Sequence, residues 1–196
     1  MCKGGRNKLA NKVIIITGPL GSGKTTTVRN FLKTISHVDE KDYHLENAEN
    51  IIVGKYHNKI VCGLDYLQHR ISKRDLMKQL WMTDKNIIME GFDINQKFVD
   101  SLVNNVENVK KKEIHLFLLM TKPEVCKERY VNRSPKFKSI DEHTPHFDTV
   151  MRHFKKRCLR FKSILYPDIN VKEVFNNELN LREFLYGNQT TKQTMI

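Results

Sequence analysis

Apolar runs of strand length alternate along the chain with segments whose apolar residues recur at helical spacing. Residues 12–17 read KVIIIT, a continuous β-branched run typical of a strand buried on both faces of a parallel sheet. The same pattern recurs at 86–90 (NIIME) and 114–120 (IHLFLLM), and more weakly at 171–175 (VKEVF). Strands that alternate with helices predict an α/β fold with a mainly parallel sheet flanked by helices.

The segments between these runs carry the signals of helices. One apolar stripe follows the glycine-rich stretch at 18–25, a second follows the cap candidate Ser72, and a third runs over 98–109. A further helix is predicted to start at Pro123. Residues 51–63 hold two short β-rich pieces around HNK, which predict a hairpin or a strand pair.

The length of the chain limits the number of domains. With 196 residues, it is long enough for one domain with a substantial core and too short for two ordinary domains and a linker. We expect a basic flexible leader at 1–11, one domain at 12–186 and a flexible tail at 187–196. No apolar run approaches the roughly 18 residues that cross a bilayer, so no membrane span is predicted.

The N-terminal residues and the cysteines bear on the compartment. The start, MCKGGRNKLANK, is basic but lacks the apolar middle of a secretory signal. The four cysteines form no CxxC pair, which suits reduced thiols better than a disulfide framework or a zinc site. We therefore expect a cytoplasmic protein, in the host cytoplasm if the chain is viral.

The positive charge is unevenly placed. The chain has a formal net charge of +12, and residues 110–162 alone carry +9. Such a concentration indicates a polyanionic ligand, either nucleotide phosphates or the backbone of a nucleic acid such as DNA. The alternative is a solvated face that keeps the protein soluble.

The stretch GPLGSGKT matches the phosphate-binding pattern G-x-x-x-x-G-K-[ST] at every fixed position. It lies between a predicted buried strand and an amphipathic helix, which is the context that the motif requires. Its backbone N–H groups and the helix N-terminus favour phosphate oxygens, Lys24 would reach the terminal phosphates, and Thr25 would bind Mg²⁺. The predicted nucleotide-binding residues are Gly18, Gly21, Ser22, Gly23, Lys24, Thr25 and Thr26.

The rest of the chain narrows the class of phosphate-binding protein. A GTPase also needs a guanine-reading Asn-Lys-x-Asp, whereas residues 121–124 read TKPE. The chain is too small for a large motor ATPase. What remains is a small kinase that moves a γ-phosphoryl group from ATP to a hydroxyl or a phosphate, although GTP is not excluded as the donor.

Such a kinase must hold Mg²⁺, and Glu90 is the candidate beside Thr25. Glu90 ends the run NIIME, so it should emerge at the carboxyl edge of the sheet, where parallel folds bind ligands. There it could hold Mg²⁺ through water or bind the acceptor. The alternative is a solvated carboxylate at a strand end.

Three histidines, at 143, 146 and 153, lie close together in the sequence. They lack the ligand spacing of a zinc site, so Mg²⁺ is the only metal that we expect.

Two arginines could neutralise the phosphoryl group during transfer. Arg129 and Arg133 are four residues apart on the predicted helix from Pro123, so they share one face. Together with the segment that follows, they predict a lid around 129–146 that closes on the γ-phosphate. The alternative is a polar surface helix.

The acceptor side has one candidate base and several candidate contacts. Asp65 follows a glycine after an apolar piece, where it could accept a proton from the attacking hydroxyl or orient it. The alternative for Asp65 is a helix cap. The predicted substrate-binding residues are Tyr56, Asp65, Arg70, Glu90 and Phe92.

From residue 13 to about 165, the chain resembles the nucleotide-kinase-like P-loop kinases. The resemblance rests on VIIITGPLGSGKTTT, on the strand end IIMEG, and on HLFLLMTKPEVCKERYVNR as strand, helix and lid arginines. The usual aspartate at the Glu90 position is absent. More narrowly, IIVGKY followed by VCGLD resembles the phage 5-hydroxymethyluracil DNA kinases, which use ATP to phosphorylate a hydroxymethyl group on a base in DNA. This resemblance implies that Gly54, Tyr56, Gly63 and Asp65 shape the acceptor site and that an extruded base is the target.

Three hypotheses remain open at this point. The first is an ATP- and Mg²⁺-dependent kinase that acts on a base hydroxyl in DNA. The second is a deoxynucleoside monophosphate kinase that acts on free nucleotides. The third is a nucleic-acid-binding protein that uses the phosphate loop as a nucleotide-gated switch without transferring phosphate.

Overall fold

A seven-stranded sheet forms the centre of the computed structural model, which describes residues 11–57, 62–67, 71–91, 112–133, 144–163, 169–175 and 178–187. The strands are β1 (Lys12–Thr17), β2 (Asp39–Glu40), β3 (His44–Glu46), β4 (Asn50–Val53), β5 (Asn86–Glu90), β6 (Glu113–Leu119) and β7 (Ile169–Val174). The helices are α1 (Lys24–Leu32), α2 (Gly63–Tyr66), α3 (Lys73–Trp81), α4 (Pro123–Arg133), α5 (Thr144–Ser163) and α6 (Leu181–Tyr186).

The sheet has the order β2-β3-β4-β5-β1-β6-β7, with β1 in its interior. Strand β1 pairs in parallel with β5 and with β6, and the parallel part extends to β4 on one side and β7 on the other. Strands β2 and β3 add an antiparallel edge. The predicted α/β class with a mainly parallel sheet is confirmed.

The buried run in β1 divides the core into two layers. Val13 and Ile15 belong to the apolar cluster that contains Leu76, Leu80 and Trp81 of α3. Ile14 and Ile16 belong to the opposite cluster, with side chains of α1 and α6. Both faces of β1 are therefore covered, which explains why its sequence is continuously apolar and does not alternate.

The first of the two β-rich pieces predicted in 51–63 forms a strand, β4, whereas residues 58–61 of the second piece lie outside the described residues. The partners of β4 are β3 and β5, on its two sides. Gly54 has a φ of 95°, which turns the chain at the end of β4, and the chain enters the short helix α2 at Gly63. A glycine in the left-handed region redirects the backbone in a way that apolar periodicity does not signal.

The predicted helices and the predicted lid can be compared with the described residues. Helix α4 begins at Pro123 as expected, and Ser72 stands at the N-cap position of α3, although its side chain makes no capping hydrogen bond. The predicted helix over 98–109 and most of the predicted lid, 134–143, lie outside the described residues. No helix in the described part of the chain is long and apolar enough to cross a membrane.

Candidate active site

The phosphate loop lies between β1 and α1, at the carboxyl edge of the parallel strands. Gly21 and Gly23 have φ values of 79° and 97°, so the loop uses a left-handed backbone at two points. Lys24 is 7% exposed, and its Nζ donates to the carbonyl oxygens of Gly18 at 2.9 Å and Pro19 at 3.0 Å. The ammonium group is thus held across the mouth of the loop, where a phosphate would meet it.

Glu90 lies directly beside the start of α1. Strand β5 places Glu90 opposite Ile16, one residue before the end of β1, and Thr25 Oγ1 donates to Glu90 Oε1 at 3.0 Å. Glu90 is only 1% exposed, and this burial raises the pKa of its carboxyl group, while nearby Lys24 and the Thr25 hydroxyl oppose the shift. The predicted position of Glu90 at the carboxyl edge of the sheet is confirmed.

Thr25 and Glu90 together fit a magnesium site. Hydroxyl and carboxylate oxygens are the ligands that Mg²⁺ prefers, and Mg²⁺ is commonly held by few protein groups and by substrate phosphates. Within the described ranges, no cluster of three or more His, Cys, Asp or Glu side chains could hold a metal by itself. A hydroxyl and a carboxylate are a ligand pair suited to an ion that is bound jointly with phosphate.

Helix α4 packs against the phosphate loop. A Cβ on Gly21 would lie 2.2 Å from the carbonyl oxygen of Cys126, so the loop touches this helix backbone to backbone. Thr121 Oγ1 donates to the Ser22 carbonyl at 2.8 Å, and Arg129 Nη1 donates to the Gly21 carbonyl at 3.5 Å. Arg129 therefore lies at the loop.

The chain around Gly63 packs under Glu90. We call residues 54–66 the acceptor segment, of which 58–61 lie outside the described residues. A Cβ on Gly54 would lie 2.3 Å from the Gly63 carbonyl oxygen, and one on Gly63 would lie 2.7 Å from Glu90 Oε1. Glycine at position 54 lets the two described parts of the acceptor segment approach each other, and glycine at position 63 lets the backbone approach the Glu90 carboxylate closely.

Asp65 lies on α2, next to Glu90. A Cβ on Gly91 would be 3.3 Å from Asp65 Oδ1, and the Asp65 charge further raises the pKa of Glu90. Asp65 is half-buried. Two carboxylates thus lie near each other at the carboxyl edge of β5. Both residues are among those that the sequence predicts to bind substrate.

Tyr56 supports the acceptor segment from inside. It is 6% exposed, and its hydroxyl donates to the Val53 carbonyl at 3.3 Å. Burial raises the pKa of Tyr56 well above its ordinary value. The hydroxyl is therefore directed into the protein, and the role of Tyr56 in substrate binding stays a prediction.

Of the remaining predicted site residues, the structure describes the side chains of some and not of others. Thr26 is exposed on the first turn of α1, and Ser22 is buried in the loop, where its hydroxyl has no hydrogen-bond partner among the described residues. Arg133 ends α4, but its side chain lies outside the described part of the structure, as do Arg70 and Phe92.

Two polar residues of this site were not predicted. Arg29 on α1 donates to the Tyr56 carbonyl at 3.1 Å, and Thr121 anchors the loop as described above. Arg29 is four residues after Thr25, so helical spacing from the motif could have placed it on the same face. Thr121 follows the apolar run of β6 at the ligand-binding edge, which is also a readable signal.

The fold and the site define an α/β domain with a phosphate-binding loop. Neither the known protein families nor the curated proteins include a match to this chain. Among solved structures, the chain is similar to a gluconokinase from Sinorhizobium meliloti 1021, at 13% identity over 90% of each chain and a TM-score of 0.41. The fold class is set by the sheet order and the loop of this chain and not by that likeness.

Proposed function

We propose that this protein is an ATP-dependent kinase that transfers the γ-phosphoryl group to a hydroxyl of a nucleotide base in DNA, as the 5-hydroxymethyluracil DNA kinases do. The observation that carries the proposal is the contact of three parts at one sheet edge. Thr25 of the phosphate-loop helix is hydrogen-bonded to Glu90, and the backbone of the acceptor segment packs against Glu90 at Gly63.

Lys24 and Arg129 provide positive charge on the donor side. Phosphoryl transfer depends mainly on positioning and on neutralising charge on the transferred group. Lys24 would exchange its contacts with the Gly18 and Pro19 carbonyls for the terminal phosphates. Arg129 already donates to the Gly21 carbonyl, so a small movement would bring its guanidinium to phosphate oxygens. We propose that Arg133 and the lid around 129–146 complete this side.

Thr25 and Glu90 would hold Mg²⁺, with Glu90 acting through a water molecule. When bound, Mg²⁺ neutralises charge on the phosphates and fixes their orientation. Burial disfavours the ionised form of Glu90, and Lys24 and Thr25 offset part of this effect. A cation bound beside the carboxylate would offset more of it.

Asp65 would serve the acceptor. It lies near Glu90 on α2, which is part of the acceptor segment, and it could accept the proton of the attacking hydroxyl or hold that hydroxyl in line. We propose that Arg70 and Phe92 also contact the acceptor, while Tyr56 supports the segment from below.

Helix α5 offers a surface for the DNA backbone. Its exposed side chains include Arg152, Lys155 and Lys156, which belong to the basic region at 110–162. If these residues neutralise phosphates, each contact should contribute about −0.9 to the slope of log affinity against log salt concentration. A slope near zero, measured by fluorescence anisotropy with labelled DNA, would remove DNA as a partner.

Labelled ATP distinguishes the three hypotheses. The protein would be incubated with [γ-³²P]ATP and Mg²⁺, together with DNA containing 5-hydroxymethyluracil, with free nucleoside monophosphates, or with no acceptor. We expect label in the DNA. Label in free diphosphates would favour a monophosphate kinase, and nucleotide binding without transfer to any acceptor would favour a nucleotide-gated binding protein.

A further inference from the structure

Arg29 connects the phosphate-loop helix to the acceptor segment. It lies one turn after Thr25 on α1, and its Nη2 donates to the Tyr56 carbonyl at 3.1 Å and to Cys62 Sγ at 3.5 Å. Tyr56 precedes the undescribed residues 58–61 and Cys62 follows them. One guanidinium therefore holds both described parts of the acceptor segment.

The partners of Arg29 are buried and packed, so they cannot easily move on their own. Tyr56 is 6% exposed and Cys62 is 7% exposed. Cys62 is followed by Gly63, whose backbone contacts Glu90. Removing the guanidinium would leave the buried Tyr56 carbonyl without this charged donor, which is a larger loss than that of an exposed hydrogen bond.

We propose that Arg29 is a positioning residue that couples occupation of the phosphate loop to the geometry of the acceptor segment. The inference rests on the proposed function, since it assumes that a triphosphate binds at Lys24 and Thr25. Binding there fixes the first turn of α1, and Arg29 transmits that constraint to the segment that carries Asp65. In this role Arg29 acts through the acceptor segment and not on the reacting atoms.

Alkylation of Cys62 measures this coupling without an acceptor. N-ethylmaleimide would be added with and without Mg²⁺ and a non-hydrolysable ATP analogue, and labelling of the Cys62 peptide would be followed by mass spectrometry. We expect the nucleotide to slow labelling by about fivefold or more, the lower end of ordinary coupling between sites. In Arg29→Met this ratio should fall to near one, and Arg29→Lys should restore part of it.

Lys33→Met is the matched control, because it removes one positive charge from the exposed end of the same helix. It should keep the wild-type ratio. If Arg29 were merely structural, Arg29→Met would speed labelling equally with and without nucleotide and leave the ratio intact, which would overturn the proposal. The same holds if wild-type protein binds the analogue but Cys62 labelling does not change.

Calorimetry of analogue binding separates this inference from the proposed function. Wild-type protein that binds no analogue would contradict both. Should Arg29→Met fail to fold, Arg29→Lys can be compared with Lys33→Met instead. A lysine at position 29 cannot reach both partners as arginine does, so the effect of nucleotide on the rate of Cys62 labelling should be smaller in Arg29→Lys than in the control. An equal effect in the two variants would overturn the proposal.

Discussion

At the scale of single residues, the site places a carboxylate where the folded protein disfavours its charge. Glu90 is buried, and desolvation is the largest contribution to the raised pKa of its carboxyl group. A buried charge that lowers stability is typical of a group kept for function. Lys24 and Thr25 offset part of this effect, and a bound cation would offset more.

Replacing Glu90 by glutamine should separate stability from metal binding. Glu90→Gln keeps the size of the side chain and an acceptor for Thr25, but removes the buried charge. We expect a melting temperature that is unchanged or raised, together with a loss of about 10- to 100-fold in Mg²⁺ affinity in the presence of ATP. The control is Glu128→Gln, an exposed carboxylate on α4. Unchanged Mg²⁺ dependence in Glu90→Gln would remove Glu90 from the metal site.

At the scale of elements, the phosphate loop is shaped by its contact with α4 as well as by its own glycines. Gly21 has a φ of 79°, and a Cβ there would lie 2.2 Å from the Cys126 carbonyl oxygen. The loop and the helix must therefore separate if any side chain is added at Gly21. Arg129 on the same helix would move with it.

Gly21→Ala should consequently weaken both folding and nucleotide binding. We expect a lower melting temperature and a loss of ATP affinity of at least about tenfold, because a displaced loop misplaces its phosphate-binding N–H groups. Gly187→Ala is the matched control, since Gly187 has a φ of 70° and a Cβ added there would meet no neighbouring atom of the described residues within 4 Å. If both variants lose stability equally and bind ATP normally, the contact with α4 does not shape the loop.

The sequence predicted those elements whose own pattern determines them. The run in β1 and the glycine motif specify a buried strand, a loop and a helix locally, and the position of Glu90 follows from the end of β5. Strands β2 and β3 were missed because they are short, with two and three residues. Strand β2 relies on pairing with β3, and β3 relies on pairing with β4. The contact of Arg29 with Tyr56 joins residues 27 positions apart and depends on the turn at Gly54, which periodicity does not report.

At the scale of the whole molecule, a buried histidine should make stability depend on pH. His115 on β6 is surrounded by the rings of Phe117 and Phe184, and Glu113 Oε1 lies 2.9 Å from its Nε2. Burial lowers the pKa of His115, with Lys12 and Lys172 adding to the shift and Glu113 opposing it. A lowered pKa means that the unfolded chain binds the proton more tightly than the folded protein does.

The contribution of His115 to the free energy of unfolding should therefore be largest above the ordinary histidine pKa and decrease as the pH falls below about 6.5. One proton contributes at most about 1.4 kcal/mol per pH unit. We expect His115→Gln to flatten the decrease measured by urea unfolding between pH 7 and pH 5, while His153→Gln, at an exposed position, leaves it unchanged. An identical slope in His115→Gln would exclude His115 as its source.

The proposed function requires that Lys24, Thr25 and Glu90 form one triphosphate-binding site at the carboxyl edge of the parallel strands. Calorimetric titration of the protein with ATP, with and without Mg²⁺, tests whether this site binds a triphosphate. We expect Mg²⁺-dependent binding in the wild-type protein that Lys24→Ala weakens by at least about 100-fold, since it removes a buried charge-assisted contact. Absence of binding in folded wild-type protein, or equal affinity in Lys24→Ala, would contradict it.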